Sequence, residues 1–176
     1  MGLVNDEVIE AYSKRFKLMQ ERGFTAAGKE EFLEKITVES RQVENLHVRC
    51  AIDGFKIDSD EPEHLGGSNK AARPMVQLLA ALANCLQISA MLYFSFSGMH
   101  VDSVRVKVSS THDKRFVINH PDAPDPGFHD ITITWMVETG EPRSKVFKVI
   151  RKIEQNCPVK ATFSRGHHFL SEIKIT

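Results

Sequence analysis

The sequence predicts a single α+β domain, and three observations carry that expectation. Helical and alternating hydrophobic periods both occur along the chain, grouped into runs rather than in regular β-α-β alternation. The stretch Pro74–Val101 holds no Asp, Glu, Lys or Arg, although 26% of the chain is charged. Finally, 176 residues that are 41% hydrophobic suffice for one packed core, and no Pro- or Gly-rich linker divides them.

The first helix is expected over Asn5–Arg22. Val8, Ile9, Tyr12, Phe16 and Met19 recur at helical spacing, Asn5 is placed to cap the start, and Gly23 to stop the end. This stripe reads as ordinary packing rather than a cofactor box. A short second helix is expected over Lys29–Lys35. From Ile36 the period changes to two, with Leu46, Val48, Cys50 and Ile52 facing one way and His47, Arg49, Ala51 and Asp53 the other. That is a half-buried strand, in which Cys50 is a small core residue. Asp53-Gly54 then turns the chain into a hairpin partner, Phe55–Ser59.

Asp60–Ala72 reads as a polar loop, and the acidic residues Asp58, Asp60, Glu61 and Glu63 as its solvated face. Pro74 suits the first turn of a long helix that Gly98 ends near Ser97. Val104, Val106 and Val108 alternate with Arg105 and Lys107 as a strand; Ile131, Ile133, Trp135 and Val137 form another. Three prolines make Pro121–Gly127 a loop. Pro142 opens an amphipathic helix with Val146, Val149, Ile150 and Ile153 inward, ending near Asn156 because Pro158 disfavours helical geometry at Cys157. Short strands over Val159–Phe163 and Phe169–Ile175 are expected to finish the chain.

Composition narrows the function classes. Lys and Arg number 23 and Asp and Glu 23, so nothing calls for nucleic acid, an anionic membrane or an acidic substrate. Three cysteines without a CxxC pair fit a reducing compartment, and the expected location is the cytoplasm. Asn5, Asp6 and Glu7 precede any apolar run, unlike a signal peptide, and Asp6 stands where a myristoylation motif has Ser or Thr. The uncharged stretch is long enough for a bilayer, but it carries Gln77, Asn84, Gln87, Ser89, Ser95 and Ser97. Lys70, Arg73 and Arg105 flank it on both sides, so it reads as the centre of a core or of a subunit interface.

Cys85, in the middle of that helix, reads by itself as an inert packing thiol; brought together with Cys157 it makes the one constellation able to carry a reaction. A thiolate at Cys85 attacking a peroxide would become a sulfenic acid, which Cys157 would condense with to a disulfide. Closing that loop would constrain the unfolded chain by about 4 kcal/mol. Cys157, at a helix C-terminus where the dipole disfavours an anion, is the better resolving partner and the poorer attacker. Cys50 has no CxxC partner, and the adjacent His167 and His168 would point to opposite faces of a strand, so no metal or other cofactor is expected.

Four segments, Asp60–Gly67, Arg73–Cys85, Gly98–Val108 and Asn156–Thr162, closely resemble the OsmC/Ohr family in the same order. The resemblance spans residues 36–176 and leaves residues 1–35 as an N-terminal helical extension. It implies an OsmC-like fold, a long buried central helix packed on antiparallel sheet, in an intertwined homodimer with active sites at the interface. It also implies a thiol peroxidase for organic hydroperoxides, regenerated by a dithiol such as a lipoylated protein. Cys85 falls at the family's peroxidatic position and Cys157 at its resolving one. Arg41, with Arg49 as fallback, matches the arginine that stabilises the thiolate. The family's glutamate follows the helix-opening proline by one or two residues; here those positions hold Met75 and Val76, with Gln77 next as a possible hydrogen-bond partner for an arginine. An apolar pocket around Leu82, Leu86, Met91 and Phe94 would favour alkyl hydroperoxides. The rival reading is a non-enzymatic ligand-binding or interaction module on the same fold.

Overall fold

The computed structural model describes residues 2–167 and 169–175. Two compact units divide the chain: Asn5–Ala80 forms one, and the rest of the chain the other.

In the first unit, α1 (Asp6–Arg22) starts where the Asn5 side chain accepts the Val8 N–H, and Gly23 closes it by donating to the Met19 carbonyl. None of its residues is buried, so the stripe expected to pack stays partly open, with Phe16 46% exposed. The second helix, α2, lies earlier than expected, at Ala26–Glu31. Thr25 decides this: its hydroxyl caps the Gly28 N–H at 3.0 Å.

Strands β1 (Glu39–Glu44), β2 (His47–Ile52) and β3 (Phe55–Ser59) form an antiparallel sheet in that order. Asp53 and Gly54 make the β2–β3 turn with φ of 48° and 80°, the left-handed geometry such a hairpin requires. Register sets Arg49 opposite Arg41 on one side and opposite Asp58 on the other. His47, expected on the solvent face, is buried, with Nε2 3.1 Å from Asp58 Oδ2. The acidic segment is a solvated face only in part, with Glu63 exposed. Asp60 is 1% exposed and accepts the backbone N–H groups of Glu61, Ser68 and Lys70, which wind the loop around it.

Helix α3 (Pro74–Phe96) ends as expected before Gly98, whose φ of 66° breaks helical geometry. Gln77 anchors its first turn by donating to the carbonyls of Asp58 and Ala72. By length and composition alone α3 could cross a membrane. However, Leu82, Leu86, Ala90 and Phe94, spaced four apart, are 0–1% exposed in the hydrophobic core, and Gln87 donates to the Val104 carbonyl. The helix is not buried all round as expected. Leu78 and Ile88 remain 45% and 52% exposed, because the sheet within the chain covers a single stripe.

That sheet pairs β4 (Ser103–Thr111) with β5 (His129–Glu138), antiparallel. Its register sets Val104, Val106 and Val108 against Val137, Trp135 and Ile133, the two alternating sets read from the sequence. Helix α4 (Arg143–Asn156) lays Val146 and Ile153 into the same core. The expected strand over Val159–Phe163 is instead a helix, α5 (Pro158–Ser164). Pro158 is preorganised for a first helical position, and Val159 and Phe163, which satisfy a two-residue period, are also four apart and share the helix face that meets the core. No strand forms over Phe169–Ile175; no edge pairs with it, and Phe169, Leu170, Ile173 and Ile175 are 84–93% exposed.

Hydrogen bonds and cations hold several carboxylates in their charged form. The Arg49 hydrogen bond keeps Asp58 well below the usual carboxylate range, that of Arg115 brings Asp113 down to about 2, and the Lys70 N–H leads the lowering of Asp60. A depressed folded value adds stability above the unfolded value, and that stability disappears as pH falls through the folded one. Thermal unfolding followed by circular dichroism should therefore show a roughly flat Tm from pH 7 to about 5 and a steep loss between about pH 4 and 2. A Tm unchanged at pH 3 would show that these contacts contribute nothing to folding.

Candidate active site

Cys85 lies on α3 between Leu82 and Leu86, beside the buried stripe, and is partly exposed. Cys157 is wholly buried at the corner between α4 and α5, ending the first helix and capping the second. The two sulfurs are 3.2 Å apart, with the Cys157 thiol donating to Cys85 Sγ. A disulfide needs about 2.05 Å, so slight side-chain adjustment separates this thiol pair from a cystine.

The α4–α5 corner holds Cys157 through three residues. Glu154 accepts the Trp135 indole N–H and the Lys160 ammonium, each at 2.8 Å, tying β5, α4 and α5 together. Burial works against the Glu154 carboxylate, but these hydrogen bonds prevail and hold it below its ordinary value. The Lys160 backbone N–H in turn points at Cys157 Sγ at 3.4 Å. The expectation that Cys157 sits only at an unfavourable helix C-terminus is thus half right, because it also caps a helix N-terminus. Burial still dominates and pushes its thiol up; the Lys160 N–H opposes this, and the neighbouring Cys85 adds to it.

The arginines belong to the other compact unit. Arg41 is exposed on β1, and no side-chain ion pair or hydrogen bond holds it among the described residues. The fallback, Arg49, is committed to Asp58 through two hydrogen bonds of 2.6 and 2.7 Å, which raise its own pKa. Gln77 does not bond an arginine as expected, since its amide is spent on backbone carbonyls. Asp58, read from the sequence as part of a solvated acidic loop, is an arginine partner because the β2–β3 register brings it opposite Arg49.

The anticipated pocket does not form within the chain: Leu82, Leu86 and Phe94 are core residues, with Met91 packed against them. Cys50 sits on β2, and no group of metal-ligating side chains forms among the described residues. His167 bonds the Thr162 carbonyl, whereas His168 lies outside the described residues.

The family model for OsmC-like proteins matches residues 67–170, more than half of the chain and the whole span from before α3 to beyond α5. The chain belongs to the OsmC-like protein family. Both cysteines fall inside the match, and Arg41 and Arg49 outside it. Solved structures agree on the fold. An OsmC-like protein from Mycoplasma pneumoniae superposes with a TM-score of 0.63 at 20% identity, covering 74% of this chain and 88% of its own. An organic hydroperoxide resistance protein, OsmC, from Legionella pneumophila gives 0.52 at 18% identity, covering 74% and 91%. An OsmC-like protein of unknown function from Vibrio cholerae gives 0.58 at 12%, covering 74% and 94%. No curated protein sequence matches the chain.

A sealed thiol held protonated should react more slowly than a partly open one. In the reduced protein, iodoacetamide should modify Cys85 first and leave Cys157 largely unmodified even at pH 8.5, where an ordinary thiol is about half ionised. Peptide mapping checks this, and equal labelling of the two would contradict the geometry.

Proposed function

We propose that this protein is a cysteine-based thiol peroxidase that reduces organic hydroperoxides. The observation that carries the proposal is the 3.2 Å approach of a partly exposed sulfur to a sealed one. Cys85, as thiolate, attacks the distal peroxide oxygen; the O–O bond breaks, the alkoxide leaves and is protonated to the alcohol, and the cysteine becomes a sulfenic acid. The Cys157 sulfur then attacks the sulfenic sulfur, hydroxide leaves with the Cys157 proton as water, and a disulfide forms. In sum, two thiols and one hydroperoxide give a disulfide, an alcohol and water. A dithiol such as a lipoylated protein closes the cycle by thiol–disulfide exchange.

Arg41 is the cation we assign to the Cys85 thiolate and the departing alkoxide, since the Arg49 charge is already met by Asp58. The apolar residues that α3 leaves open, Leu78 and Ile88 among them, support a homodimer in which a second copy covers that face. Three free cysteines suit the reducing cytoplasm. The non-catalytic binding module keeps one specific observation in its favour: Met75 and Val76 put no acid at the start of α3, and Gln77 is tied to the backbone.

One equivalent of cumene hydroperoxide added to the reduced protein should remove two hydrogens from the intact mass and link Cys85 to Cys157 within seconds. Cys85→Ser should abolish turnover, and Cys157→Ser should reduce one equivalent and stop as sulfenic acid. Unchanged mass with all thiols free would give the binding module precedence.

The arginine assignment has its own test. Arg41→Ala should slow single-turnover oxidation by about 10²-fold, the usual effect of losing one donor to a developing oxyanion. Arg49→Ala should mainly lower Tm, because it strands Asp58 beside His47. The reverse pattern in stopped-flow rates and melting curves would transfer the role to Arg49.

A further inference from the structure

The outer face of α4 carries positive charge that the proposed chemistry does not use. Between Arg143 and Asn156 stand Arg143, Lys145, Lys148, Arg151 and Lys152, against the single acid Glu154. Glu154 is turned to Trp135 and Lys160, and Lys145 is paired with Glu141. Arg143, Lys148, Arg151 and Lys152 have no acidic partner among the described residues, although Lys152 lies 5.9 Å from the Tyr93 ring centre. Such segregation is notable in a chain with as many acids as bases.

The face also has a shape. Phe147, Lys148, Arg151, Lys152 and Asn156 line one open hollow of about 640 Å³, with Phe147 55% exposed. Their spacing places them on one side of α4, opposite the core residues Val146 and Ile153. The hollow ends at Asn156, the residue before Cys157. An apolar anchor rimmed by cations fits a protein surface that presents an apolar contact among carboxylates. A second copy of this face is a poor match, because like charges would oppose one another. The balanced charge of the chain likewise favours a compact acidic protein over a polyanion.

We propose that this hollow is the docking surface for the reductant, and that the reductant is an acidic protein or domain carrying a dithiol. The inference rests on the proposed redox role of the cysteine pair. One thiolate of the partner attacks the Cys85–Cys157 disulfide and displaces one sulfur as thiolate. The partner's second thiol then breaks the mixed disulfide, so both cysteines return as thiols and the partner leaves as a disulfide.

The test uses full-length protein whose cysteines have been oxidised with diamide, so it proceeds even if hydroperoxides prove not to be substrates. Two synthetic probes are compared, a CxxC dithiol peptide flanked by Asp and Glu and the same peptide flanked by Lys. Each rate is divided by that protein's rate with dithiothreitol. The acidic peptide should reduce the wild-type disulfide at least tenfold faster than the basic one at low salt, and the advantage should shrink as salt rises. K148E/R151E/K152E should reverse the preference, and the milder Lys148→Gln/Arg151→Gln pair should weaken it, which covers a failure of the triple variant to fold. Equal rates for the two peptides, or a preference that survives the charge reversal, would overturn the proposal. So would sedimentation showing that the face is covered in a salt-sensitive self-association lost in the variant.

Discussion

The thiol pair of this molecule depends on the corner between α4 and α5, where a half-buried carboxylate braces a buried thiol. Glu154 joins the Trp135 indole to the Lys160 ammonium, so one side chain fixes β5, the end of α4 and the first turn of α5. Cys157 lies inside that brace with its sulfur against Cys85. If the corner loosened, Cys157 would meet water and its thiol would lose the burial that now keeps it protonated. Position and reactivity thus come from the same packing.

A division of labour between the two sulfurs follows. In the proposed peroxidase, substrate must reach the attacking sulfur, whereas the resolving sulfur need only reach its neighbour. Partial exposure of Cys85 and complete burial of Cys157 suit those two tasks. The α3 stripe Leu82, Leu86, Ala90 and Phe94 makes the arrangement rigid, because it locks the Cys85 helix onto the sheet that also carries Trp135. In the other unit the same economy appears around Asp58, which neutralises Arg49 and contacts His47, leaving Arg41 the arginine of that sheet face without a counter-ion among the described residues.

Much of this was legible in the sequence because it is written in local patterns. The caps at Asn5 and Gly98, the Asp53-Gly54 turn, the valine ladder of β4 and the inner face of α4 depend on neighbours within a few positions. The cysteine pair was legible as the one reactive constellation, which the family resemblance reinforced, and its partners at the corner were not. Glu154, Trp135 and Lys160 carry no motif; each is an ordinary residue until the fold brings the three together.

By itself the sequence determined the α+β class, the order of the elements from α1 to α4 apart from β1, which it left unseparated from β2, and Cys85 and Cys157 as the residues to compare. Periodicity and capping act over one or two turns of chain, and those forces need no tertiary partner. Only the tertiary structure decided what non-local contacts decide: that Val159–Phe163 is a helix, that Phe169–Ile175 finds no strand to join, that Asp60 and His47 are buried, and that Arg49 is spent on Asp58. A two-residue period and a four-residue period coincide in the short run Val159–Phe163, and an alternating segment becomes a strand only when an edge accepts its hydrogen bonds. Burial and ion pairing are likewise properties of what arrives opposite a side chain, and strand register together with the α4–α5 corner settles what that is.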